Sequence, residues 1–146
     1  MALPPHIELQ IVTPDRMLVQ ERVDEVQIPG AEGYLGVLPG HTPLLASLAV
    51  GELWYRKGQE KTYLSIAFGF AEILPDRVTI LARIAERAED VDLTRAESAR
   101  KRAEERLHHA KPEIDQERAR IALIKSVTRI QVSTRVTVRR REAVRG

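Results

Sequence analysis

Gly30-Ala31-Glu32-Gly33-Tyr34-Leu35-Gly36-Val37-Leu38-Pro39-Gly40-His41-Thr42-Pro43-Leu44-Leu45 is a run of spaced glycines and prolines threaded with apolar residues. Pro39-Gly40 suits the two central positions of a type II turn, where proline presets φ and glycine takes the positive φ that other residues resist. Gly30, Gly33 and Gly36 let the chain bend and let another backbone come close. Spacing alone leaves two readings open: corners of a sheet, or a turn-rich surface that binds. The run is not a phosphate cradle, because no glycine-rich loop ending in Lys-Ser or Lys-Thr occurs and no helix signal follows at once. His41 is the one tempting catalytic residue, but no serine or cysteine nucleophile with an evident partner accompanies it.

On either side of the run the pattern is strand-like. Apolar residues alternate with Glu8 and Gln10 from Ile7 to Ile11, the period-2 signature of a half-buried strand. Met17 to Ile28 holds a second alternating stretch, closed by Pro29-Gly30. Further on, Leu53 to Arg56, Lys61 to Ala67, Phe70 to Leu74 and Arg77 to Ala82 are short runs separated by Lys57-Gly58, Gly69 and Pro75-Asp76. Such regular short strands predict an antiparallel sandwich or barrel. All six aromatics, Tyr34, Trp54, Tyr55, Tyr63, Phe68 and Phe70, lie in this half. They are expected to supply core area to a domain small enough to need it.

Near Asp92 the period changes. Leu93, Ala96, Ala99, Ala103, Leu107 and Ala110 recur at steps of three or four, one face of a helix, with Asp92 or Asp90 placed to cap its start. His108 to Pro112 interrupts the pattern, and the chain is expected to fold back about Lys111 with Pro112 in the first turn of the next helix. Ile114, Ile121, Ala122, Ile124, Val127 and Ile130 carry a second helical face; the β-branched Val132, Thr134, Val136 and Val138 then lose it. The expected product is an antiparallel helical hairpin. Its first helix offers mainly alanine methyls, which bury little area, so the seam is marginal.

Charge follows the same division of the 146 residues. Positions 1–84 carry net −3 and 85–146 net +5. With no cysteine there is no disulfide framework or thiolate metal site, and no metal is expected. No run approaches the ~18 apolar residues of a membrane span and no signal peptide is visible, so a soluble cytoplasmic chain is expected. Arg95, Arg102 and Arg106 share one helical stripe; folding back brings Lys125 and Arg129 opposite Arg95, a set of cations that either binds polyphosphate or forms a solvated charged face. A nucleic-acid module would interleave aromatics with basic residues, whereas here they occupy different halves. An enzyme would need a metal cluster, nucleophile constellation or P-loop, and none is found.

Two motifs resemble those of a known family, the epsilon subunits of bacterial F-type ATP synthases. Gly36-Val37-Leu38-Pro39-Gly40-His41-Thr42-Pro43-Leu44-Leu45 matches the family's GxxPGHxPLL run, and Val91-Asp92-Leu93-Thr94-Arg95-Ala96 resembles its Ile/Leu-Asp-x-x-Arg-Ala motif. The similarity runs from about Ile7 to about Val132. It implies an α+β chain: an N-terminal antiparallel β-sandwich of about ten strands (1–86) docking on the gamma subunit and c-ring, then a regulatory C-terminal two-helix hairpin with a basic tail (87–146). It further implies a non-catalytic rotor subunit of the central stalk, which couples proton-driven c-ring rotation to ATP synthesis. Its mobile hairpin would extend toward the catalytic alpha and beta subunits and inhibit ATP hydrolysis. Such a subunit sits peripherally on the cytoplasmic face of the bacterial inner membrane, with no specific nucleic-acid partner.

By the same resemblance, Glu32, Gly33, Tyr34, Leu35, Gly36, His41 and Thr42 face gamma and the ring. Glu86, Val91, Asp92, Arg95, Ala96, Arg102 and Arg129 are the nucleotide-binding positions, with ATP a regulatory ligand and no cofactor required. Val91 stands where isoleucine or leucine is usual, and Lys125 where a good binder has arginine, whose planar fork grips phosphate in two places. The tail from Thr134 to Gly146 carries Arg135, Arg139, Arg140, Arg141 and Arg145 against Glu142, net +4. It is expected either to meet an acidic surface on the catalytic subunits or to be a solubilising tail.

Overall fold

The computed structural model describes the backbone of residues 2–109 and 113–145, and the side chains among these except at 114 and 137–145. The chain divides into two compact units, Met1–Glu86 and Arg87–Gly146.

Seven strands build the first unit: β1 (Ile7–Val12), β2 (Met17–Val23), β3 (Glu25–Gly30), β4 (Gly33–Val37), β5 (Leu44–Lys57), β6 (Glu60–Ile73) and β7 (Arg77–Arg87). They form one sheet in the order β2-β1-β7-β6-β5-β3-β4. Although β1, β7 and β6 lie between them in that order, β2 comes into contact with β5. The sheet is therefore folded over on itself into two layers, which is how a single sheet makes a sandwich. Alternation decides what lies inside. Ile7, Leu9 and Ile11 on β1, Val26 and Ile28 on β3, Leu53 on β5, Leu64, Ile66 and Ile73 on β6 and Ile80 on β7 are all fully buried.

Four expectations change. The sheet has seven strands, where about ten were implied. Lys61 to Ala67 and all but the last residue of Phe70 to Leu74 fall within one strand, because Phe68 (φ 62) and Gly69 (φ 122) bend β6 without breaking its ladder, and the register with β5 runs from Leu44↔Ile73 through Leu48↔Gly69 to Lys57↔Glu60. One pairing is parallel, β1 on β7. A parallel neighbour needs a long connection, and here the other five strands supply it. The core is aliphatic: of the six aromatics only Tyr55 is buried, while Tyr34 and Phe70 are 59% and 56% exposed.

In the second unit a 3-10 turn (Ala88–Asp90) precedes α1 (Leu93–His109) and α2 (Glu113–Arg145), which pack together as a helical hairpin. Small side chains are buried on both helices, Ala96 and Ala103 on α1 and Ala119 and Ser126 on α2, as an alanine-rich seam requires. The expected turn at Lys111 and Pro112, and Ala110 before it, lie outside the described residues. The loss of helical pattern expected at Val132 does not end the helix; α2 runs 33 residues, to Arg145. β-Branched residues cost only tenths of a kcal/mol each in a helix. Here the hydroxyls that would compete for backbone groups bond back along the helix, Ser133 to the Ile130 carbonyl and Thr134 to that of Gln131, both at 2.6 Å.

Candidate functional site

The Gly30–Leu45 run begins as a hairpin. Strands β3 and β4 close at the Gly30↔Gly33 pair, leaving Ala31 and Glu32 as the loop. Both keep negative φ, so the loop is not the primed turn that matches strand twist; Gly33, at φ 134, absorbs the mismatch. The Ala31 N–H donates to the Ser47 carbonyl at 2.8 Å, fastening the tip to the start of β5. Tyr34 pairs with Pro29, and its hydroxyl lies over Gly51, where a Cβ would come within 3.0 Å of it and 2.7 Å of the Pro29 Cβ.

Between the hairpin and β5 lies a groove of about 510 Å³. Glu32, Gly33, Tyr34 and Leu35 line one side and Leu44, Leu45 and Ser47 the other. Leu45 is 71% exposed, so it and Tyr34 present apolar surface that a folded chain normally hides. Of the residues assigned by resemblance to the gamma and c-ring interface, four line the groove. Gly36 instead sits in the β3–β4 ladder opposite Gln27, and His41 and Thr42 lie in the connection from β4 to β5. Leu44, Leu45 and Ser47 complete the groove and were not in the expected set. Leu44 and Leu45 were visible only as the two leucines that end a motif and Ser47 not at all, and strand position puts Leu45 and Ser47 outside while Leu48 enters the core.

The adjoining Leu38-Pro39-Gly40-His41 turn has the expected geometry. The His41 N–H donates to the Leu38 carbonyl at 3.2 Å, with Gly40 at φ 88. The Gly40 N–H donates to the Pro75 carbonyl at 2.7 Å, tying the turn to the β6–β7 connection. His41 Nδ1 is 2.6 Å from the Thr42 carbonyl oxygen. A carbonyl only accepts, so Nδ1 carries the proton. The ring is a local brace.

At the other end of β5 a polar cluster holds the sheet together. The Asp24 carboxylate accepts the Gly58 N–H at 2.7 Å, lies 3.0 Å from His6 Nδ1 and 3.9 Å from Arg56, and Arg56 also reaches Glu25 at 3.0 Å. The Gly58 N–H first, then His6 and the Arg56 charge, hold the Asp24 carboxyl below the usual carboxylate range.

The residues assigned by resemblance to nucleotide binding fall mostly in the second unit. Asp92 caps α1: its Oδ1 accepts the Arg95 N–H at 3.1 Å and its carbonyl accepts the Ala96 N–H at 2.9 Å. Arg95 is exposed in that first turn, Arg102 is exposed seven residues on, Val91 is half-buried and Ala96 has no exposed surface. Arg129 is half-buried on α2, and Glu86 is half-buried near the end of β7, in the first unit. Arg135 is exposed on α2; the side chains of Arg139, Arg140, Arg141 and Arg145 lie outside the described residues. Among the described residues no cluster could hold a metal ion, and no helix is long and apolar enough to cross a membrane.

Two family models match in the same order as the two units. Residues 6–88 match the beta-sandwich domain of the ATP synthase delta/epsilon chain, and residues 89–134 its long alpha-helix domain. Among similar proteins, the ATP synthase epsilon chain of Koribacter versatilis is 54% identical over 106 residues, 73% of this chain and 75% of that one. The epsilon chain of Nitratidesulfovibrio vulgaris is 45% identical over 126 residues, 86% and 94% of the two chains. A chain of the Euglena gracilis mitochondrial ATP synthase, solved as an OSCP/F1/c-ring assembly, superposes with a TM-score of 0.76 at 28% identity, over 85% of this chain and 79% of that one.

Proposed function

The chain belongs to the ATP synthase delta/epsilon family, and from that membership we propose that it is a non-catalytic central-stalk subunit that couples c-ring rotation to ATP synthesis and restrains ATP hydrolysis. In this reading the sandwich docks on the gamma subunit and the c-ring through the groove between the β3–β4 hairpin and β5. The observation that carries it is the exposure of Tyr34 and Leu45 around that groove, in a unit whose core is otherwise closed. Apolar surface held on a braced turn is what a permanent neighbour covers. The test is addition of the full chain to an ATP synthase stripped of this subunit, following binding and hydrolysis. Tight binding with slowed hydrolysis supports the proposal; no binding at micromolar concentration ends it.

The second unit is the regulatory element in this reading, with ATP as the ligand of the folded hairpin and the catalytic alpha and beta subunits as its neighbours when extended. A seam of small side chains supports this, because it contributes little free energy to either position. Arg95 and Arg102 are exposed on α1 and available to phosphate, whereas Asp92 is occupied as a cap and buried Ala96 serves by its small size. Arg95→Ala in the full chain should diminish the calorimetric heat or NMR shifts produced by ATP. Absence of any response in the wild type at about millimolar ATP, where a binding free energy of only ~4 kcal/mol in favour of the complex is enough to half-fill a site, would remove the nucleotide from the mechanism.

A further inference from the structure

Among the described residues one buried side-chain donor has no partner, the Nε of Arg100 on α1. Position explains its burial. Arg100 follows Ala96 by four residues and precedes Ala103 by three, spacings that share one helical face, and both alanines are buried where α1 packs with α2. Its stem therefore runs into the alanine seam, and the residue as a whole is half-buried. An arginine cannot shed its charge there, because its pKa lies above about 12. A charged group's N–H left bare in such a place forfeits the hydrogen bond that water gives it outside.

A surface arginine at this position has a better option. Glu97 and Glu104, three residues before and four after, are exposed and stand at the spacings that form ion pairs along one helix. Arg100 pairs with neither, and makes no other ion pair among the described residues. The closed seam thus holds the side chain away from two carboxylates that an isolated α1 offers it.

We propose that the bare Nε–H of Arg100 is a release device for the hairpin. It raises the free energy of the packed seam, so α1 and α2 part readily, and opening satisfies the donor with water or with Glu97 or Glu104. The device rests on the regulatory reading of the second unit given above and adds to it the atom that sets the balance. Small side chains alone make a seam weak everywhere; an unpaired donor favours opening at one place. Arg95 and Arg102 differ, since both are exposed and stay hydrated whether the seam is closed or open.

Two substitutions separate the donor from the charge. Arg100→Lys keeps the charge and puts a methylene where the Nε–H stood, whereas Arg100→Met removes both. Arg, Lys and Met have similar helix propensities, so the backbone preference of α1 is unchanged. Native-state hydrogen exchange of the full chain without nucleotide should show α1 and α2 amides protected about fivefold or more better in each variant, with the sandwich amides unchanged. In ATP synthase stripped of this subunit and rebuilt with either variant at equal occupancy, inhibition of hydrolysis should weaken, because the opened hairpin is depopulated by the same factor. Unchanged or lower protection in both variants overturns the proposal. Protection raised by Arg100→Met alone also overturns it, because the charge and not the Nε donor is then responsible. Raised protection in both with wild-type inhibition leaves Arg100 as the determinant of the seam and ends the regulatory reading on which its role as a release device rests.

Discussion

Gly69 and Gly40 both adopt positive φ, yet their surroundings differ. A Cβ on Gly40 would meet the tip of Leu3, a flexible side chain that is 72% exposed and free to turn away. At Gly69 it would meet the Leu81 carbonyl and the Ala82 Cα, which are backbone within the sheet. Gly40→Ala should therefore cost about 1–2 kcal/mol, the price of the left-handed conformation alone, and Gly69→Ala more than about 3 kcal/mol. Urea unfolding of the two variants checks the order; equal losses would refute the argument. Asp24 gives a pH prediction. Its carboxyl is held low, so its contribution is full above the ordinary carboxylate value of about 3.9 and is lost as pH falls through the depressed native one. Asp24→Asn should be less stable than wild type at neutral pH, and the gap should close in acid. A gap of constant size from about pH 7 to about pH 2.5 would mean the charge is irrelevant. The Pro39-Gly40 turn was legible in the sequence because both determinants are adjacent. The Asp24 cluster was not, since its partners His6 and Gly58 stand 18 and 34 residues away.

Among elements, α1 depends most on one local contact. Its first turn contains no acidic residue, so the Asp92 cap is its favourable interaction with the helix start. Asp92→Ala should lower hairpin stability by about 1 kcal/mol, and Asp92→Ser should recover most of it, because a hydroxyl also accepts the Arg95 N–H. Local hydrogen exchange in α1 reads the difference; no change in the alanine variant would show that packing alone fixes the start. The cap, the helix period and the alanine face were all written locally and were legible. Strand count was not. A glycine inside a strand reads as a break from sequence, and only the partner strand decides that β6 bends at Gly69 and continues. The aromatic residues misled for a related reason: composition states that Phe70 and Tyr34 are large, while register states which face they occupy.

Across the whole molecule, the family matches end at residue 134, whereas α2 continues to Arg145. The helix is about 50 Å long at 1.5 Å per residue, and its last part carries the net +4 of the basic tail. If this end reaches an acidic surface on the catalytic subunits, its attraction is screened over about 10 Å at 0.1 M salt, so inhibition should weaken as salt rises. Removing the residues after Val132 should leave docking intact, because the groove and its exposed apolar residues belong to the first unit. It should relieve inhibition of hydrolysis in the reconstituted enzyme. Steady-state hydrolysis at two salt concentrations, with subunit occupancy measured in the same samples, separates the two roles. Full inhibition by the truncated chain at full occupancy would remove the basic end from regulation. Loss of occupancy would show that docking, too, depends on the second unit.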